Sequence, residues 1–360
     1  MDISLANTFS NAKTLGIKIG SVSERDQWNY YVKEANQYDV YHTYDYHLIN
    51  IEGDPILFVY QEDDGFLSLP LIKRKIEQTS YFDCTSVYGY TGALTNLDSV
   101  GLLSNGFMRR FSNALKQFLL KERIVCCFIV LHPLFKQKEI FESIVGGHVL
   151  ELGKTVAIDL RISLDEQRLR YRRPIRQKIN QLRRKGFEVR QANSNTQLKE
   201  FIAIYHENML KVGAISKYLF EDSYFEKFMC AIDYKPRLLL AYYEGKIVAG
   251  AMVAVTNDIV QLHLAGTRNE FLKDSPMKLI FDETTLLGRA EDAKFLHLGS
   301  GVGGKDDSLY HFKTGFSDNL FDFSIWKFIA DEVVYNELVH DKIKKGLTPD
   351  PLYFPLYRSC

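Results

Sequence analysis

The sequence predicts an α/β protein made of two similar halves. Three observations carry this. Its 360 residues, 46% of them hydrophobic, are more than one hydrophobic core usually organises. The order hairpin, strand, helix, buried strand occurs twice, and a glycine-flanked run at 146–153, GGHVLELG, interrupts the pattern between the two occurrences. The expected domains are residues 1–150 and 151–330, with 331–360 as a C-terminal tail. One large mixed sheet with accidental similarity is the competing arrangement.

In the first half, residues 55–76 read as an apolar run, an acidic turn at Gly65 and a second apolar run, the pattern of a β-hairpin. A strand at 81–90, an amphipathic helix at 102–121 and a buried strand at 124–132 follow. The second half repeats the order with a hairpin at 237–255 that turns at Glu244 and Gly245, a strand at 259–265, a helix at 275–291 and a strand at 294–299. Ser275 is expected to cap that helix, with Pro276 at its first position. Met277, Ile280, Phe281, Thr284 and Leu287 then form a stripe that should lie on the sheet. A last strand is expected at 320–329. Beyond it the chain contains Pro349, Pro351 and Pro355 and reads equally as a docked or a mobile tail.

The first twenty residues have no apolar core of signal-peptide type, and the longest apolar run, 124–131, is too short to span a bilayer. The expectation is a cytoplasmic protein without a transmembrane segment. Cys84, Cys126, Cys127, Cys230 and Cys360 are odd in number and show no CxxC spacing. Neither a disulfide framework nor a metal site is therefore expected.

A formal charge of zero hides a local asymmetry. Residues 161–190 hold eleven Lys or Arg against three acids, a local charge of +8. Within this segment a helix is predicted at 174–185, stopped by Gly186, with Ile175, Ile179 and Leu182 as its apolar stripe. Arg183, Arg184 and Lys185 suit the dipole at its C-terminal end. Arg172, Arg173 and Arg176 oppose the dipole at the other end, so an external anion such as a pyrophosphate or an RNA backbone accounts for them better than solvation does.

Along the strand at 259–265, alternation sets Val260, Leu262 and Leu264 on one face and Gln261, His263 and Ala265 on the other. His263 should then project beside the loop that runs through Gly266 and Thr267 to a helix N-terminus, where free N–H groups suit phosphate. A neutral imidazole there could take a proton from an attacking amine; the competing reading is a satisfied structural histidine. In the first half, Val87-Tyr88-Gly89-Tyr90-Thr91-Gly92 offers two tyrosines for flat contact and two glycines for close backbone approach, although a plain strand end fits as well. The densest cluster is HLGSGVGGK at 297–305 followed by SLYHFKTGF at 308–316, a buried strand running into a glycine-rich loop and a short amphipathic turn that presents Phe312 and Lys313. GxxxxGK[ST] is not met, which rejects a nucleotide-hydrolysing P-loop.

Taken in order, GKTVAIDL, RRPIRQKINQLRRKGFEV, the hairpin with VAGAMV, HLAGT, SPMKLI and LYHFKTGF resemble the FemAB-like branch of the GNAT acyltransferase superfamily, over residues 30–325. The resemblance implies two tandem GNAT-like domains, each a mixed, mostly antiparallel sheet flanked by helices. It implies a cleft between the domains for the acceptor and a channel in the second domain for the donor, with Phe312 and Lys313 at the reacting centre. Catalysis falls to Lys313 and His263, donor binding to Gly266, Thr267, Ser300 and Phe312, and acceptor or phosphate binding to Arg172, Arg173, Arg176, Tyr88 and Tyr90. The chain departs from the family in lacking an inserted coiled-coil arm, in having Pro174 after the arginine pair and in lacking the RxxGxG loop of acetyl-CoA-using GNAT enzymes.

The activity expected is N-acyl transfer from aminoacyl-tRNA or acyl-CoA, with no tightly bound cofactor. The expected partners are an amine-bearing small-molecule or lipid-linked precursor of the cell envelope or a polysaccharide, and tRNA. A non-catalytic RNA- or nucleotide-binding protein of the same fold and a structural pseudoenzyme are the alternatives.

Overall fold

The structure, a computed structural model, describes residues 10–12, 16–49, 52–103, 106–213 and 218–359. Its strands are β1 (Ser10–Ala12), β2 (Ile17–Val22), β3 (Asp54–Glu62), β4 (Gly65–Lys75), β5 (Phe82–Thr85), β6 (Leu94–Thr95), β7 (Ile124–Val130), β8 (Gly147–Asp159), β9 (Glu188–Gln191), β10 (Lys235–Tyr243), β11 (Lys246–Thr256), β12 (Ile259–Thr267), β13 (Phe295–Gly299) and β14 (Leu320–Ile329). The chain divides into two units, one taking in residues 1–152 and 323–360, the other 153–322.

The first unit orders its strands β1-β2-β3-β4-β5-β7-β14, with β6 paired to β4. The hairpin β3–β4 is antiparallel, β5 joins β4 antiparallel, β7 joins β5 parallel, and β14 closes antiparallel on β7. The second unit orders its strands β9-β10-β11-β12-β13-β8 and repeats these relations. The hairpin β10–β11 is antiparallel, β12 adds antiparallel, β13 adds parallel, and β8 closes antiparallel on β13. A parallel neighbour requires a crossover, and in each unit one long helix supplies it: Phe107–Lys121 between β5 and β7, Met277–Ala290 between β12 and β13.

Both crossover helices form because apolar residues recur at helical spacing and need a sheet to cover them. Phe107, Phe111, Leu115, Phe118 and Leu119 are buried with Phe58, Tyr60, Leu67, Leu69 and Leu71 of the first hairpin. Leu279, Ile280 and Phe281 are buried with Val253, Val260 and Leu296, and the helix Arg173–Arg184 adds Ile175, Ile179 and Leu182 to the same core. Each such side chain contributes about 1.5–3 kcal/mol when fully buried. The second unit's other face is covered by the helix Asn195–Lys211, which packs so closely that a Cβ on Gly250 would lie 2.5 Å from the Phe201 ring.

Several expectations need correction. The glycine-flanked run at 146–153 is not a break: β8 starts at Gly147 and continues to Asp159, with Val149 packed on the first unit's core. The units part between residues 152 and 153, inside that strand, and residues 323–360 belong to the first unit instead of forming a separate tail. There the helix Glu332–Lys344 buries Val334 and Tyr335 with Val125 and Cys126. The strand expected at 81–90 is only β5, because the chain turns away after Thr85. The helix expected at 102–121 is two helices, Ser99–Leu103 and Phe107–Lys121, the second starting after Gly106 at φ 71°; residues 104 and 105 lie outside the described residues.

Candidate functional site

The second unit's site is built around the loop after β13. Gly299 turns the chain at φ 78°, and the loop folds back so tightly at Gly301 that a Cβ there would lie 2.2 Å from the Lys305 carbonyl oxygen. Asp307 pins this shape. One carboxylate oxygen accepts from the Tyr310 N–H at 2.9 Å, capping the helix Ser308–Lys313, and the other accepts from the Val302 N–H at 2.8 Å. Burial alone would raise the Asp307 carboxyl, but these N–H donors hold it below its ordinary value.

That helix delivers Lys313 inward. Its side chain is buried, and Nζ donates to the Ser300 carbonyl at 2.6 Å, while Ser300 Oγ donates to the Lys154 carbonyl at 2.7 Å. Burial lowers the Lys313 ammonium to about 8, partly offset by the charge of Asp307. Lys313 and Ser300, expected at one site, are thus brought together. Phe312 packs edge-on against Phe281 and Phe316, with centroids 5.5 and 5.6 Å away, so much of its ring serves the core.

The basic helix starts against the end of this short helix. The Arg172 backbone N–H donates to the Gly315 carbonyl at 2.8 Å, and its guanidinium donates to Thr314 Oγ1 at 3.0 Å. Arg172 is therefore engaged within the unit. Most other cations of the segment also have acidic partners. Arg168 and Arg183 both bind the fully buried Asp282 at 2.7 Å, Arg183 also binds Glu283, and Lys178 and Lys185 share Asp274. Three acids from outside the segment, Asp274, Asp282 and Glu283, thus offset part of its local charge of +8. Among the described residues Arg173 and Arg176 have no ion-pair partner; Arg173 is exposed and Arg176 half-buried.

His263 requires correction. A register shift in the β11–β12 ladder beside it breaks the expected alternation, so that Ala265 falls with Val260 and Leu262 on the same core. The imidazole is covered by the helix Asp222–Met229, stacked on Phe228 at 4.7 Å and sharing a 2.6 Å hydrogen bond with the Tyr224 hydroxyl. Burial pushes His263 down to about 3, too weak a base for an amine proton near neutral pH.

The loop expected to bind phosphate is also shaped for other contacts. Gly266 lets a helix approach, since a Cβ there would lie 3.1 Å from the Tyr205 Cα, and Thr267 is buried opposite Ala249 in the ladder. Ser275 stands at φ 55° and does not cap; Pro276 takes the N-cap position. The first helical N–H groups are already engaged, Lys278 by the Ser275 carbonyl and Leu279 by that of Pro276. A tight turn following Asn269–Phe271 presents these carbonyls and leaves little of the expected anion cradle.

Tyr88 and Tyr90 lie in the first unit, away in sequence from the other candidates. The Tyr88 carbonyl accepts from the Tyr46 hydroxyl at 2.6 Å and its ring is exposed, whereas Tyr90 packs edge-on against Tyr41 and Phe323. The close approaches at Gly89 and Gly92 are made by the protein's own Tyr41 and Gln137. Sequence reasoning missed a buried pair in this unit, His132 Nε2 with Asp39 Oδ2 at 3.0 Å. Burial raises Asp39 to about 7 and lowers His132 to about 3, which favours a shared hydrogen bond without separated charges. Nothing in the spacing of Asp39 and His132 signals that pair.

Among the described residues no group of three His, Cys, Asp or Glu could hold a metal ion, and no helix is long and apolar enough to cross a membrane.

Residues 170–314, all within the second unit, match the model of the acetyltransferase (GNAT) domain. Over most of its length the chain has the fold of FemX, with a TM-score of 0.70 at 14% identity, covering 88% of this chain and 99% of that one. L-PGS from Bacillus licheniformis is similar at a TM-score of 0.54 and 14% identity over 85% of this chain and 92% of that one. A tandem GNAT protein from the clavulanic acid biosynthesis pathway is similar at 0.50 and 10% over 87% and 98%. The fold is thus that of tandem GNAT proteins. No curated protein matches the sequence as a relative.

Proposed function

We propose that the chain is an N-acyltransferase that moves an acyl or aminoacyl group from aminoacyl-tRNA or acyl-CoA to the amine of a cell-envelope or polysaccharide precursor. The observation that carries this reading is the buried Lys313 ammonium at the end of a glycine-rich loop in a GNAT domain. The acceptor's neutral amine attacks the donor carbonyl carbon, the C–N bond forms, the ester or thioester bond breaks, and the proton the amine loses passes to the departing oxygen or sulfur. Lys313, with one of its three N–H donors on Ser300, offers the others to the developing oxyanion or leaving oxygen. Arg173 and Arg176, without an ion-pair partner among the described residues, suit the phosphates of either donor. The fold shared with FemX and L-PGS supports an acceptor of the envelope class.

The test is incubation of the full chain with charged tRNA or acyl-CoA and a panel of amino sugars and amine-bearing lipid precursors, with amide products read by mass spectrometry. Amide formation that falls about 10²–10³-fold in Lys313→Met, with donor binding kept, is the expected result. Retained RNA affinity without transfer from any donor would replace the reading by a non-catalytic RNA-binding one.

A further inference from the structure

The C-terminal segment, which the transfer reading does not use, builds a cavity of about 380 Å³ in the first unit. That volume lies at the small end of the range typical of ligand sites, about 300–1,000 Å³. Its floor is aromatic. Phe354 stacks on Tyr335 with centroids 5.9 Å apart and tilts against Phe128 at 6.2 Å, and Phe328 and Leu356 extend the apolar surface. Its rim carries Lys116 from the crossover helix and Lys327 from β14, with His148 from β8 and the single acid Glu332.

Lys327 Nζ stands 5.5 Å from the centroid of the Phe354 ring, so its charge is held over the floor. Among the described residues neither Lys116 nor Lys327 has a carboxylate partner, whereas Arg168, Lys178, Arg183 and Lys185 of the basic segment do. Two unneutralised ammonium groups above an aromatic floor call for a ligand that is flat and apolar at one end and anionic at the other.

We infer that this cavity binds a small amphiphilic anion, an aromatic or acyl body bearing one carboxylate or phosphate, with Lys116 and Lys327 on the anion and Phe354 and Tyr335 under the body. None of its lining residues falls within the segment matched to the GNAT domain. The cavity is therefore built by residues outside that segment.

Titration of the full chain with naphthoate, naphthyl phosphate and uncharged naphthamide, followed calorimetrically, tests it. Saturable binding of at least one anion, at least ten-fold tighter than naphthamide, is expected, and the tighter of the two identifies the headgroup. Lys116→Met with Lys327→Met should lower anion affinity to that of naphthamide while leaving naphthamide binding and Tm unchanged. Lys327→Gln alone should give an intermediate loss and serves if the double variant does not fold. Absence of saturable anion binding, naphthamide binding as tightly as the anions, or undiminished anion affinity in the lysine variants would each overturn the inference.

Discussion

Lys313 and His263 are both buried beside β-strands of one unit, yet burial gives them opposite uses. Lys313 keeps a donor geometry on Ser300 with its ammonium lowered to about 8, so turnover that depends on the charged form should fall as pH rises through about 8. The unfolded chain keeps the ordinary lysine value of 10.5, and between 8 and 10.5 it binds more protons than the native state. Stability should therefore rise with pH across that window in the native sequence and stay flat in Lys313→Met, as denaturant unfolding at both ends will read. His263 is stacked on Phe228 and held near 3, below the unfolded value of 6.5. As pH falls from 6.5 toward 3 the unfolded state gains a proton that the native state does not, and stability is lost. His263→Phe should fold, keep transfer activity within about three-fold and unfold at lower pH than the native sequence. A loss of turnover comparable to that of Lys313→Met would restore His263 as a base.

The helix Arg173–Arg184 shows what a single element reveals and hides in sequence. Its span, its Gly186 stop and its buried stripe of Ile175, Ile179 and Leu182 were legible, because period and termination are local properties. The partners of its cations were not legible: Asp282 and Asp274 lie about a hundred residues away, and only the fold brings them under Arg168, Arg183, Lys178 and Lys185. The same limit applied to His263, whose face was assigned by strict alternation that one register shift undoes, and to Gly266, whose helix neighbour Asn195–Lys211 lies far upstream in the sequence. The candidates left for the proposed anion site are Arg173 and Arg176. Replacing both by Gln should weaken donor binding and lower the dependence of log affinity on log salt by about one to two, roughly 0.7–0.9 for each phosphate no longer neutralised. Unfolding midpoints should hardly move, since neither side chain has an ion pair among the described residues. Unchanged affinity and slope would make the pair plain surface.

At the scale of the whole chain, the duplication was readable because each unit repeats one local order of hairpin, strand, helix and strand; the closing strands β8 and β14 were not placed by that logic, since each comes from outside the repeated run. The C-terminal residues were the least readable part, and their role follows from a polar anchor. The fully buried carboxylate of Asp83 binds Arg74 at 2.8 Å and Arg358, and accepts from the Tyr357 hydroxyl at 3.1 Å, while that hydroxyl sits 3.3 Å from Cys126 Sγ. Asp83 thus fixes the segment Leu356–Arg358 over β7, and Tyr357 covers a thiol that burial makes unreactive by raising its pKa. Removing one partner from such a buried network leaves charge uncompensated, typically at a cost of about 3–5 kcal/mol. Asp83→Asn should therefore lower the Tm by several degrees. Arg358→Ala together with Tyr357→Ala should keep the helix Glu332–Lys344 docked through Val334 and Tyr335 but loosen the last turn, so that Cys126 becomes open to a maleimide, with the modified cysteine identified by peptide mass spectrometry. If Cys126 is labelled no faster in that variant than in the native chain, the segment is not what protects it, and the buried anchor would have to act on the sheet alone.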